Sequence, residues 1–351
     1  MLFSLEQDLG DRLILYAAPD GFSGAPRLRL SAGGRDLGVC GANELRLSLV
    51  SAGRHETGMC GFNIDEGLVP DLARLHDLAL FDEDTGLLIY RRPPPDRLQL
   101  KMLRLETHIF PLRKCDAAIG PHFQHYVAGL EHWGRETVTQ LFLLNGVDSV
   151  YLSGRILYKN FATYIESGFE VVTVLQAPHA EFAERLLVLS MLSDMGAQCL
   201  GERDAVRFRP AIDYAAALPL DDPKKLRRAL TRMPDGVALL LADPLVRQLT
   251  TSTPDEMPGG GAIAGALDTL AACAFVGLRE HPAHVTETWG AALGLDPAHI
   301  PPPPIFPRVG PLAQFLKESR VVDHLIERDL EVFGVVEGAI LKSPSTNQGY
   351  L

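Results

Sequence analysis

The stretch that decides the fold runs from Asp148 to Asp194: DSVYLSGRILYKNFATYIESGFEVVTVLQAPHAEFAERLLVLSMLSD. Two short apolar runs, Ser149–Leu152 and Val171–Leu175, flank a helix-length segment that ends at Gly168. The second run breaks at Gln176-Ala177-Pro178 and passes into a helix expected from about His179 to Leu192. Short β-branched runs alternating with helical patterns predict βαβ units around a parallel sheet. Ligands of such sheets bind beyond the C-terminal strand ends, often against helix N-termini. The Gln176–Glu181 corner is therefore the expected ligand-facing turn.

On the N-terminal side, residues 98–110 alternate basic and apolar side chains (Lys101, Arg104) and predict a strand ending at Glu106-Thr107-His108. The loop Pro111–Cys115 follows, then one long helix from Asp116, its expected N-cap, to Leu144. On the C-terminal side, strands are expected at Ala197–Leu200, Val206–Arg209 and Ala274–Leu278. Helices are expected at Pro223–Met233, Pro244–Thr250, Ala262–Ala272, His284–Leu293, Leu312–Glu318 and Val321–Leu341.

Residues 1–92 have a different texture. Short alternating pieces (Arg12–Tyr16, Arg27–Ser31, Glu44–Leu49, Leu87–Arg91) are divided by Gly, Asp and Asn turns, the pattern of a small antiparallel β-sandwich. Residues 93–97, opening on Pro93-Pro94-Pro95, form a stiff linker. An α/β domain is expected over 98–342 and a flexible tail over 343–351.

At 351 residues the chain can bury a large core, and 46% apolar and 22% charged residues describe a soluble globular protein. Its apolar runs are too short to span a membrane, and its first ten residues do not read as a secretory signal. The net charge of −11 argues against unspecific affinity for nucleic acid. Five scattered cysteines without a CxxC pair fit unpaired thiols in a cytoplasmic setting.

Four places resemble bacterial carbohydrate sulfotransferases with a P-loop-like α/β fold. They are Ser153-Gly154-Arg155 after a strand, Val174–Glu184, Asp243–Thr250, and Phe275–His281 with Trp289–Leu295. The N-terminal part resembles a module joined to bacterial carbohydrate-modifying enzymes, through Arg46, Leu49, Gly53 and Gly61-Phe62. The resemblance implies a sulfotransferase-like parallel sheet flanked by helices. It also implies transfer of a sulfuryl group from 3′-phosphoadenosine 5′-phosphosulfate to a sugar hydroxyl in surface-glycan or glycoconjugate synthesis, with the β-sandwich offering a surface to a protein partner. A non-catalytic descendant that binds a glycan or a protein partner is the alternative.

The sequence departs from the family at each functional position. Pro111–Cys115 replaces a Gly-rich loop. Arg155 stands where the family has its general-base His, and a guanidinium accepts no proton. Gln176 replaces a phosphate-binding Arg and Glu184 a phosphate-binding Ser, while Pro178 matches. On this reading Arg113, Lys114, Lys159 and Arg185 join Gln176 and Pro178 as donor-holding candidates. Glu106 and His108, two residues apart and so on one face of a strand, are acid–base candidates with Arg155 beside them. No metal is expected. His122, His125 and His132 could share a face of the long helix, but the first and last stand roughly 15 Å apart at the helical rise. His281-Pro282-Ala283-His284 is interrupted by its proline. Gly259-Gly260-Gly261 has no following Lys-Ser/Thr, and no Asp-x-Asp motif supports a glycosyltransferase.

Overall fold

The computed structural model describes residues 1–20, 24–195 and 200–342. The chain begins with β1 (Leu2–Asp8), β2 (Arg12–Ala18), β3 (Arg27–Ala32), β4 (Arg35–Gly41), β5 (Glu44–Leu45), the short helix α1 (Leu47–Ser51), β6 (Met59–Asp65), β7 (Ala79–Asp82) and β8 (Leu88–Arg91). These strands form two antiparallel sheets, ordered β1-β2-β6-β5 and β4-β3-β7-β8. Leu13, Leu15 and Ala17 on one sheet and Leu28, Leu30 and Ala32 on the other are buried at every second position, as a two-residue period dictates.

The strand expected over Glu44–Leu49 stops at Leu45. Arg46 turns back to pair with Glu44 and Glu6, each at 2.8 Å. Its guanidinium lies over Gly61, where a Cβ would sit 2.7 Å from Nη1. Gly53 closes α1 in the left-handed region at φ +65°. The Arg46, Gly53 and Gly61 wording thus builds this sheet edge.

No strand or helix lies between Arg91 and Lys101. Then come β9 (Lys101–Leu105), α2 (Arg113–Ile119), β10 (His125–Ala128), α3 (Arg135–Phe142), β11 (Val150–Gly154), α4 (Ala162–Glu166), β12 (Glu170–Leu175) and α5 (Pro178–Met195). A helical stretch follows: α6 (Glu202–Arg207), α7 (Arg209–Ala216), α8 (Pro223–Thr231), α9 (Asp235–Leu241), α10 (Pro244–Thr250) and α11 (Ala262–Ala271). The chain then runs through β13 (Phe275–Leu278), α12 (Pro282–Leu293), α13 (Val309–Leu316), α14 (Arg320–Leu325) and α15 (Glu327–Lys342).

The second sheet system is fully parallel, ordered β10-β11-β9-β12-β13. Both faces are covered. Leu103, Leu105, Val150, Leu152 and Val171 join an apolar cluster continuous with the sandwich core, while Met102, Tyr151, Val172 and Val174 pack with Trp289 and Leu293 of α12. A third cluster ties α5 to α7, α8, α9 and α13. Among the described residues, no helix is long and apolar enough to cross a membrane.

Several expectations are corrected. The single helix over 116–144 is α2, strand β10 and α3, because Gly120-Pro121 ends the first and Gly129, at φ +80°, turns the chain after β10. Asp116 lies within α2 and is no N-cap. His122, His125 and His132 therefore share no helix. Val206 and Arg207 are helical in α6 and Arg209 opens α7, where the Pro at its second position favours a helix start over a strand. The strand expected at Ala197–Leu200 lies outside the described residues except for Leu200, which is in neither strand nor helix. The strand over 98–110 is confined to Lys101–Leu105. Only five residues of the segment before Gly168 form an α-helix, and the last helix divides at Ile326. The tail from 343 also lies outside the described residues.

Candidate functional site

β10 and β11 lie on one side of β9, while β12 and β13 lie on the other. The chain changes sides at the C-terminal end of β9, which is where open parallel sheets place a ligand crevice.

A buried charge network fills that end. Alternation along β9 turns Arg104 toward α2, where Nε and Nη2 donate to the two carboxylate oxygens of Asp116 at 2.7 and 2.8 Å. Nη1 donates to Glu106 at 2.9 Å, and the Tyr151 hydroxyl donates to Asp116 at 2.7 Å. Arg104 is 1% exposed, so these partners offset a large desolvation penalty. Burial pushes the Glu106 carboxyl up, but Arg104 and then His108 hold it well below the usual carboxylate range. Glu106 also accepts from the backbone N–H groups of His108 (3.1 Å) and Leu112 (2.7 Å), which folds the loop after β9 back onto the strand.

His108 Nδ1 lies 2.9 Å from Glu106 Oε1. A carboxylate only accepts, so Nδ1 carries a proton toward Glu106 and Nε2 is the ring atom left to exchange one. Nε2 is buried without a partner. Glu106 and His108 are thus brought together as an oriented pair, although both are 1% exposed rather than standing at an open strand end.

The Gln176–Glu181 corner lies beside this pair. Arg279, just past β13, donates to Glu184 (2.8 Å) and Gln176 (2.6 Å), and to the carbonyl of Pro304 (2.8 Å). Phe306 covers the Arg279 guanidinium and meets Phe110 edge-on at 5.0 Å between ring centres. Burial, with Glu181 close by, pushes the Glu184 carboxyl up to about 7 against the pull of Arg279. Glu181 Oε1 accepts from the Ile109 N–H at 3.2 Å and sits 3.1 Å from Arg185 Nε, while Oε2 is unpartnered. A small cleft is lined by Thr107, Gln176, Pro178, Glu181, Leu245 and Asp329. It offers about 20 Å³, room for about one water.

The cationic candidates divide. Arg155 donates to the carbonyls of His108 (3.2 Å) and Ile109 (2.7 Å), and its backbone N–H reaches Glu131. Gly154 permits this, because a Cβ there would collide with the Leu130 backbone. Arg113 is exposed, with Nη2 2.9 Å from His132 Nε2. Burial pushes the His132 imidazole down; Glu131 opposes this, while Arg113 and Arg155 add to it. Arg113 and Arg155 therefore flank one histidine, but Glu131 and Asp204 share the space. Lys114 and Lys159 are exposed, the latter facing Glu256. Arg185 is buried against Glu181, and Pro178 opens α5.

Arg104, Asp116, Glu181, Arg279 and Asp329 help to build this end of the sheet, although the sequence offered none of them as a catalytic or donor-binding candidate. Arg104 carried a usable signal, a charge at an inward position of a central strand. The others meet only through tertiary packing. No family model matches the chain, and no curated protein matches it in a sequence search. Among the described residues, no group of three or more His, Cys, Asp or Glu side chains is arranged to hold a metal ion.

Proposed function

We propose that the chain is a glycan- or glycoconjugate-binding protein on a sulfotransferase-like scaffold, acting in bacterial surface-glycan synthesis without transferring sulfate. The observation that carries this reading is the turn between β12 and α5. There the positions that the resemblance assigns to phosphate binding hold Gln176 and Glu184, both spent on Arg279. Glu181 and Glu184 already occupy the guanidinium groups of Arg185 and Arg279, so neither cation at the corner is left to hold a dianion. The residues present therefore do not fit 3′-phosphoadenosine 5′-phosphosulfate. Arg155 supports the same conclusion, since its guanidinium braces the loop carbonyls.

The oriented Glu106–His108 pair favours a second reading, a transferase in which His108 Nε2 takes a proton from a sugar hydroxyl. The two readings part in one experiment. The intact chain is screened on a glycan array, and the glycans that bind are offered as acceptors with labelled 3′-phosphoadenosine 5′-phosphosulfate. Binding without label transfer is expected. Label transfer that is lost in His108→Ala establishes the transferase instead.

A further inference from the structure

In the cleft at the Gln176–Glu181 corner, Leu175, Pro178 and Leu245 supply apolar walls, and Glu181, Thr107 and Asp329 bring acceptor oxygens. Glu181 is 8% exposed and its Oε2 has no partner. The Thr107 hydroxyl has spent its proton on the Val174 carbonyl at 2.8 Å, so toward the cleft it can only accept. Asp329, 3% exposed, holds the Leu245 and Val246 N–H groups at 3.0 and 2.9 Å. Gln176 turns its carbonyl oxygen to Arg279 and its amide N–H to Glu184, so it adds neither a free acceptor nor a free donor to the cleft. A space of about one water, lined by two carboxyls and a hydroxyl acceptor, complements a compact donor and rejects phosphate or sulfate.

We infer that this cleft receives the ammonium group of an unacetylated amino sugar, with Glu181 as its principal partner and Asp329 and Thr107 completing the shell. The inference rests on the glycan-binding reading and names the sugar class for that site. The test is calorimetric titration of the intact chain with three tetrasaccharides: glucosamine, N-acetylglucosamine and a heparin-derived one. Saturable binding of the glucosamine oligomer is expected, weakened at least about tenfold by N-acetylation, because an ammonium–carboxylate bond buried in the cleft is lost. Glu181→Gln retains an acceptor for the Ile109 N–H and is expected to weaken binding by a similar factor, with a lowered unfolding midpoint because buried Arg185 loses its carboxylate partner. Asp329→Asn provides a second variant of the same cleft. Equal binding of the acetylated oligomer, preference for the heparin oligomer, or indifference to both variants overturns the inference and leaves glycan binding standing. No binding of any of the three, together with a blank glycan array, removes the glycan reading itself.

Discussion

Arg104 decides more than any other single residue at the end of the parallel sheet. It pairs with two buried carboxylates and holds Glu106 ionised, and Glu106 in turn fixes both the His108 ring and the loop to Leu112. Removing one partner of a buried pair leaves the other charge uncompensated, at a cost of about 3–5 kcal/mol. Arg104→Leu is expected to lose about that much stability in urea unfolding, and Asp116→Asn less, because Glu106 still compensates the Arg104 charge even though the Asn amide turns an N–H toward the guanidinium. Equal, small effects of the two would mean that water reaches the network. Glu106 and His108 were legible in the sequence as a pair, though not as a strand face, since β9 ends at Leu105. Their burial was not, because it depends on the loop carrying Ile109 and Phe110 folding over them.

At the scale of elements, close approach sets the sequence. The backbone of Leu130 and Glu131 is wedged against both Gly154 and Gly201, and a Cβ on either glycine would collide with it. Gly154→Ala is expected to destabilise by about 1–3 kcal/mol or more, the usual cost of overpacking, and to release Arg155 from the Ile109 carbonyl. An unfolding midpoint equal to wild type would show that the segment yields freely. The βαβ rhythm of Asp148–Asp194 was readable because β11 and β12 are buried on both faces and lie in a single apolar run each. The region 116–144 misled because β10 is an edge strand of only four residues, HYVA, whose apolar spacing merges with that of the flanking helices. The element order of the N-terminal sandwich was legible from its turns, whereas the role of Arg46 required its partners across the sheet.

At the scale of the molecule, buried titratable groups shape the response to pH. Burial pushes His125, which stacks on Phe3 between sandwich and parallel sheet, down to about 3 from 6.5. Its contribution is present above pH 6.5 and is lost as pH falls toward 3, because the unfolded chain takes up the proton first. Burial pushes the Asp329 and Glu184 carboxyls up to about 7 from 3.8 and 4.5. Their contribution is full below those ordinary values and is lost as pH rises through 7. Urea midpoints measured across pH are expected to decline on both sides. His125→Phe flattens the acid limb and Asp329→Asn the limb approaching pH 7. A profile unchanged by either substitution would assign the titration to other groups.

The central claim is the proposal that this protein does not bind the sulfotransferase nucleotide. Its most direct test is calorimetric titration of the intact chain with 3′-phosphoadenosine 5′-phosphate. The arrangement of Gln176, Glu184 and Arg279 predicts no saturable binding up to millimolar nucleotide. Micromolar binding that Arg155→Ala abolishes would contradict it and favour the transferase reading.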